Sequence, residues 1–254
     1  MPTSAATWTR LQAVAGNNGF DLTLPRAGDW LAFASTQVSM KLWVTAVGED
    51  FLVCALSQGN VLAGLAPLGV AFLNPLPMGS CGGLSVTSLP AMHALVRRAF
   101  QLAKSMPDDL LNAYYRQTAA MPKTTEAERL VVQRVGQDLF RQALLDYWQG
   151  RCALTGLAVP ELLRASHIQA WAECDSDAAR LDVHNGLLLA PHIDALFDGH
   201  WLTVADDGSV IVSACLAPAA RELLQVQGPA QIRGLQPGHR HFLNWHRARL
   251  RAPH

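Results

Sequence analysis

Three short stretches in the second half of the chain carry side chains that could hydrolyse a phosphodiester bond. The first contains Ser166 and His167. The second contains Asn185, which comes shortly before a predicted strand. The third contains Asp194 and Asp198. Such a reaction needs an activated water, an electrophile at the phosphoryl oxygens and help for the leaving oxygen. A proton acceptor and oxygen ligands for a hard metal ion are therefore the groups of interest.

His167 suits the activation of water. An imidazole titrates near neutral pH and can accept a proton at a position that a strand holds fixed. The residues from Leu162 to Ile168 predict that strand. A histidine taken alone is more often structural than catalytic, but the place of His167 in the three-part pattern favours catalysis.

Asp194 and Asp198 are candidate metal ligands. They are four residues apart, so on a helix they project from one face. Pro191 predicts the start of a short helix and Gly199 its end. Asp198 then lies at the negative end of the helix dipole, where a bound cation would remove the repulsion. The alternative is a plain turn in which Asp198 binds its own backbone.

The donor types favour some metals over others. Carboxylate oxygens with an imidazole and waters favour Mg²⁺ or Mn²⁺, and Zn²⁺ is disfavoured. His192 is an auxiliary ligand candidate, with exposure to solvent as the alternative. Asn185 precedes Gly186 and is expected to hold the loop between two strands by side-chain to backbone bonds.

The order of these stretches resembles the HNH endonuclease family. Residues 151–213 resemble the HNH domains of restriction-type endonucleases in bacteria, and the likeness extends over about 123–250, because the preceding helix is also similar. The resemblance implies a ββα-metal fold, one divalent ion and cleavage of DNA. By motif position it implies that His167 activates water and that Asn185 is the central residue of the catalytic set. It places Asp194 or Asp198 at the helical third position.

Ser166 departs from the pattern of the family. Many relatives have Asp or His at this position as a metal ligand, and a hydroxyl is a weaker ligand. We therefore expect the ion to rest on Asp194 and Asp198, with Ser166 as an auxiliary group. A decayed site in a non-catalytic nucleic-acid binding module is the alternative, and a structural or interaction protein that uses the fold as a scaffold is a third reading.

Charge restricts how the chain could bind nucleic acid. The formal net charge is zero and charged residues are 16% of the chain, so any basic surface must be local. The last 34 residues hold six arginines against one acid, and such a local excess attracts a phosphate backbone. A solubilising surface is the alternative. The candidate DNA-binding residues are Arg164, Arg180, Arg240 and Arg247.

The cysteines and the apolar segments indicate the compartment. The five cysteines include no Cys-x-x-Cys pair, which argues against a disulfide framework or a cysteine zinc site and predicts a cytoplasmic location. Cys152 and Cys174 are expected to pack in the core. No signal peptide is predicted, and the longest apolar piece, Val61 to Leu73, is too short for a membrane helix.

The predicted fold class is α+β, with two domains joined by a long helix. Residues 1–120 predict a small mixed α/β domain, a candidate target-recognition module. Residues 121–254 predict the HNH nuclease domain with its preceding helix, its core at 151–213 and a basic C-terminal tail. The predicted strands of the first domain are Trp30 to Ala34, Lys41 to Val47 and Phe51 to Ser57, the last two forming a hairpin at residues 48–50.

Helix signals surround the predicted boundary. Helices are predicted from Ser88 to about Met106 and from Pro107 to Thr118. Thr125 and Glu128 form a capping box that opens a long helix to Gln149. The apolar residues expected on its buried face are Val131, Val132, Val135, Leu139, Phe140, Leu144 and Trp148. A further hairpin is predicted around residues 206–208.

These observations together predict a metal-dependent DNA endonuclease of restriction or defence type. Its partner is DNA, and no membrane association is expected. Cutting both strands would need two such sites, which leaves a homodimer open.

Overall fold

The chain forms two compact units in a computed structural model that describes residues 4–48, 51–122, 124–226, 228 and 230–252. The first unit extends to Lys104 and the second begins at Ser105. Both contain helices and strands, so the fold is mixed α/β. The sequence placed the boundary after residue 120. The structure groups the helix Pro107–Thr118 with the second unit, because that helix packs on the long helix that follows it.

A six-stranded antiparallel sheet forms the first unit, in the order β1-β2-β3-β4-β6-β5. The predicted strands are confirmed within a residue at each end, and β3 and β4 pair as predicted. Glu49 and Asp50, in the predicted turn between them, lie outside the described residues. The strands are β1 Leu22–Ala27, β2 Trp30–Ala34, β3 Leu42–Val47, β4 Phe51–Leu56, β5 Val70–Ala71 and β6 Gly82–Val86.

Three helices accompany this sheet: α1 Ala5–Asn17, α2 Gly59–Ala63 and α3 Leu89–Ser105. The sequence predicted α3 but missed α1 and β1. Asn18 closes α1, since its side-chain amide donates to the carbonyl of Val14 at 2.6 Å. The Asn18 amide also accepts from Arg97 of α3 at 3.2 Å. The two helices are therefore joined by one buried polar side chain.

The second unit opens with α4 Pro107–Thr118 and α5 Glu126–Tyr147. The predicted capping box is confirmed: the Glu128 backbone N–H donates to the Thr125 hydroxyl at 3.2 Å, and the Thr125 N–H donates to the Glu128 carboxylate at 2.9 Å. Phe140 and Leu144 are buried as predicted. The prediction was wrong for Val131, which is 54% exposed.

Two short antiparallel ribbons and four further helices complete the second unit. The ribbons are β7 Arg164–His167 with β8 Gly186–Leu189, and β9 Leu202–Val204 with β10 Val210–Val212. The helices are α6 Asp177–Leu181, α7 Pro191–Asp198, α8 Pro218–Leu223 and α9 His239–Arg247. The sequence predicted both ribbons and α7 but not α9, where Phe242, Leu243 and His246 are buried.

Two further expectations can be compared with the structure. Cys152 and Cys174 are each 3% exposed and carry free thiols, so both are packing residues as predicted. Among the described helices, none combines the length and the apolar character that crossing a bilayer requires.

Candidate functional site

The β7–β8 ribbon separates the candidate residues by face. Ser166 pairs with Leu187 and His167 pairs with Gly186. Successive side chains of a strand point to opposite faces. Ser166 accordingly faces α7, where its hydroxyl lies close enough to the Asp194 carboxylate to lower the pKa of that group. His167 points the other way, towards α5.

Asp194 is a half-buried carboxylate held between α7 and β7. Burial raises the pKa of Asp194, and the nearby negative charge of Asp198 adds to the rise. The Ser166 hydroxyl and the positive charge of Arg164 act in the opposite direction. The balance leaves a carboxyl group whose ionised form would be stabilised by a cation at this position.

Asp198 is exposed at the last residue of α7, and it projects about 40° around the helix from Asp194. Within the described part of the chain there is no cluster of three or more His, Cys, Asp or Glu arranged to hold a metal ion. An ion here would depend on two carboxylates, the Ser166 hydroxyl and water. This donor set fits Mg²⁺ or Mn²⁺, which are bound through one or two carboxylates with several waters retained.

His167 is enclosed by aromatic rings. Its ring stacks on Phe140 with centroids 3.8 Å apart and meets Trp171 edge-on at 5.6 Å. Its Nε2 lies 2.9 Å from the carbonyl oxygen of Arg180. Because a carbonyl only accepts, Nε2 carries the proton and Nδ1 holds the lone pair of the neutral ring. Burial lowers the pKa of His167, so the neutral form prevails at neutral pH.

The sequence led us to expect the imidazole and the acidic groups around one common point. The contacts differ: Ser166, Asp194 and Asp198 lie together with Arg164 nearby, whereas the His167 ring packs on α5. The physical reason is the alternation of adjacent side chains along β7. His192 is exposed and lies about 200° around α7 from Asp194, so the auxiliary ligand role finds no support in its position.

Asn185 is fully buried and clamps the loop that connects the two strands. Its side-chain oxygen accepts from the Gln169 backbone N–H at 2.7 Å. Its amide donates to the carbonyls of Gln169 at 3.1 Å and Ala179 at 3.0 Å. These bonds hold the loop as the Asn-Gly step predicted, and they give Asn185 a positioning role close to His167.

The four candidate DNA-binding arginines fall into two groups. Arg180 donates to the carbonyls of Trp171 and Cys174 at 3.1 and 2.6 Å, so its guanidinium fastens the same loop. Arg247 donates to the Val204 carbonyl and pairs with an aspartate of the β9–β10 turn. Arg164 and Arg240 are exposed.

The sequence did not single out the groups that shape the position of His167. Phe140 belonged to the predicted buried face of α5, but nothing indicated that it would meet an imidazole. Trp171 lies in a non-periodic loop and gave no signal. Gly186 has to be small, because a Cβ there would lie 2.5 Å from the Phe140 ring and 2.8 Å from Leu144. The Asn-Gly step indicated the turn, not this contact.

Comparison with protein families identifies the stretch that contains these residues. Residues 152–205 match the model of the HNH endonuclease family, and the matched segment contains β7, β8, α7 and β9. The segment is therefore an HNH endonuclease family domain, as the sequence predicted, which supports nuclease activity in general. The family acts on DNA and generally uses divalent metal ions. No curated protein matches the chain significantly.

Proposed function

We propose that the second unit is a metal-dependent DNA endonuclease. The observation that carries the proposal, beside the family match, is the position of two acids on one side of α7, a helix that packs on β7. Asp194 is half-buried beside Ser166, and Asp198 is exposed. Arg164, on the same face of the ribbon, supplies positive charge where a phosphate would approach.

Each residue has a defined task in this proposal. Asp194 and Asp198 would hold a divalent ion, which would supply electrophilic help to the phosphoryl and leaving oxygens. The Nδ1 atom of His167 accepts the proton of the attacking water. His167 is the last residue of β7, and its side chain faces away from Ser166. To contact both the imidazole and the ion, the scissile phosphate has to lie across the end of β7.

Two residues outside the reacting groups keep His167 in position. The Arg180 carbonyl fixes the tautomer through Nε2. Asn185 holds Gln169, two residues after His167, through both its backbone N–H and its carbonyl. We assign Asn185 a positioning role within the catalytic set.

Nicking of supercoiled plasmid tests the proposal directly. The chain should nick DNA with Mg²⁺ or Mn²⁺, and a chelator should abolish the reaction. His167→Ala and Asp194→Asn should each lower the rate by about 10²-fold or more, the scale of losing a general base or a metal ligand. Asp138→Asn, an exposed acid on α5, is the matched control and should retain the full rate. Chelator-resistant nicking, or full activity of Asp194→Asn, contradicts the proposal.

A non-catalytic nucleic-acid binding module is the second candidate. The observation that favours it is the serine at position 166 together with the His167 ring on the opposite face of the ribbon. Binding of DNA without cleavage under either metal would support this candidate over the first.

The restriction or defence role extends the proposal to the whole chain, with the first unit recognising the target. Cleavage of plasmids prepared from methylating and non-methylating hosts measures this directly. A clear preference for one plasmid supports the role, and equal cleavage of both contradicts a modification-dependent target.

A further inference from the structure

Two arginines after α9 have their guanidinium groups over tryptophan rings beside the C-terminal end of α7. The Arg251 guanidinium lies 4.2 Å from the centroid of Trp201, and the Arg249 guanidinium lies 3.6 Å from that of Trp245. Both arginines are exposed, and both tryptophans are partly buried. We refer to these four residues as the Arg–Trp platform.

Hydrogen bonds fasten the platform next to the acidic pair. Arg251 Nε donates to the carbonyl of Gly199 at 2.8 Å, and its backbone N–H donates to the carbonyl of His200 at 3.1 Å. The Ser213 hydroxyl donates to the Arg251 carbonyl at 2.6 Å. Since Gly199 directly follows Asp198, the platform begins where the candidate metal site ends.

His200, two residues after Asp198, places the acidic pair and the platform in one neighbourhood. Its backbone carbonyl accepts from Arg251 at 3.1 Å, and its ring centroid lies 6.3 Å from that of Trp245. The ion pairs found within the described ranges involve neither Arg249 nor Arg251, so no carboxylate there neutralises them.

The position over an indole ring prepares both guanidinium groups for phosphate, because the ring restricts the side chain. A guanidinium has five N–H donors, and each arginine uses one of them on a backbone carbonyl, Arg249 on that of Trp245 at 3.1 Å and Arg251 on that of Gly199. The remaining N–H groups match two phosphate oxygens in a bidentate contact. The ordering cost of a long flexible side chain is partly met before binding, because the tryptophan already restricts it. Two acidic side chains alone would repel a polyanion, so adjacent cations are needed there.

We propose that Arg249 and Arg251 bind the sugar-phosphate backbone of DNA on the side of the acidic pair at which α7 ends. The contact is independent of sequence, because guanidinium–phosphate contacts position a strand without reading its bases. The inference rests on the proposed function for its choice of partner. It adds two DNA-binding arginines that lie beyond the family-matched segment, although Trp201, which supports Arg251, lies within it.

Binding of a labelled DNA duplex to the full chain, followed by fluorescence anisotropy over a range of KCl concentrations with EDTA present, tests this. Arg249→Gln should weaken binding and reduce the slope of log affinity against log salt by about 0.9, the value for one phosphate contact. The double variant R249Q/R251Q should lose about twice as much slope. R116Q/R129Q removes two exposed arginines of the same unit outside the basic tail and should keep the wild-type slope.

A purely structural platform predicts a different result. Arg251→Gln also removes the bond to Gly199, so urea unfolding of each variant is measured in parallel. Arg249→Gln leaves that bond intact and keeps the test valid even where Arg251→Gln unfolds. A wild-type salt slope in Arg249→Gln overturns the proposal, as does an equal loss of slope in R116Q/R129Q.

The two proposals fail separately. Because the binding assay contains EDTA, it does not depend on cleavage. Loss of slope in Arg249→Gln without nicking activity in the wild-type chain supports the platform and contradicts the endonuclease. Nicking activity with an unchanged slope does the reverse.

Discussion

The imidazole of His167 lies nearly parallel to the ring of Phe140, with an angle of 14° between the planes. Phe140 belongs to α5, outside the segment 152–205 that matches the HNH endonuclease family. The helix before the domain therefore provides one wall around the proposed general base. Phe140 itself is 1% exposed, so its ring both fills the core and supports the imidazole.

Replacing Phe140 by Ala should destabilise the chain by about 3–5 kcal/mol, because a large buried ring is lost and a cavity remains. Urea unfolding followed by circular dichroism measures this. Val131→Ala is the matched control on the same helix, and its exposed side chain should change stability by less than about 0.5 kcal/mol. Equal changes in the free energy of unfolding for the two substitutions would show that Phe140 makes no specific contribution to stability.

Gly186→Ala should also destabilise the chain, for the opposite reason. The added methyl group would lie 2.5 Å from the Phe140 ring, and overpacking of this kind costs about 1–3 kcal/mol. The double variant G186A/F140L should lose less than the sum of its two single losses, because leucine lacks the ring atom nearest to the new methyl. Additive losses, measured by urea unfolding, would contradict the contact.

Asn185→Asp should be poorly tolerated although the two side chains have almost the same shape. A carboxylate can still accept from the Gln169 N–H, but it cannot donate to the carbonyls of Gln169 and Ala179. A buried charge beside unpaired carbonyls is expected to cost several kcal/mol. Thermal unfolding checks this, and Asn244→Asp, at an exposed position of α9, is the control. An unchanged melting temperature in Asn185→Asp would show that the side-chain hydrogen bonds of Asn185 do not stabilise the loop.

Local patterns predicted much of this architecture because they act over a few residues. The capping box at Thr125, Pro191 at the start of α7 and the turn residues 206–208 all specify their elements through nearby backbone bonds. The faces of those elements were harder to predict. Val131 was assigned to the core because it is apolar, but which side of α5 is covered depends on the partners that pack there.

The candidate site was likewise predictable only in part. The spacing of Asp194 and Asp198 was enough to place them on one side of a helix, and a helix is what the structure contains. The position of His167 relative to them depended on strand alternation combined with the packing of α5 and of Trp171, which is separated from α5 in sequence. No pattern within the three stretches specifies this packing. The structure therefore differs from the expectation that His167 and the two acids surround one common point.

Stability should fall as the pH is lowered, because two buried histidines resist protonation. Burial lowers the pKa of both His239 and His246 to about 4, from an ordinary value of 6.5. Below pH 6.5 the unfolded chain binds protons that the folded chain does not, so this stability is complete above pH 6.5 and is lost as the pH falls towards 4. Each shift corresponds to about 3 kcal/mol.

Charged and titratable neighbours also shift the pKa of each histidine. His239 faces His184, with Asp182 acting in the opposite sense, and His246 faces His200 and Arg249. Urea unfolding at about pH 7.5 and about pH 5 measures the difference. His246→Gln should make the dependence on pH shallower, whereas His241→Gln, at an exposed position of the same helix, should preserve it. An identical dependence in His246→Gln and the wild-type chain would contradict the assignment.

The shortness of β7 and β8 has a consequence for the length of chain that can fold as one module. Two strands of four residues have little surface of their own, and here Phe140 and Leu144 cover one side of them while α9 packs against β9. A fragment of residues 152–205 alone would leave Gly186 and His167 without their cover. A fragment that keeps this packing is therefore longer than the family-matched segment and includes α5 and α9.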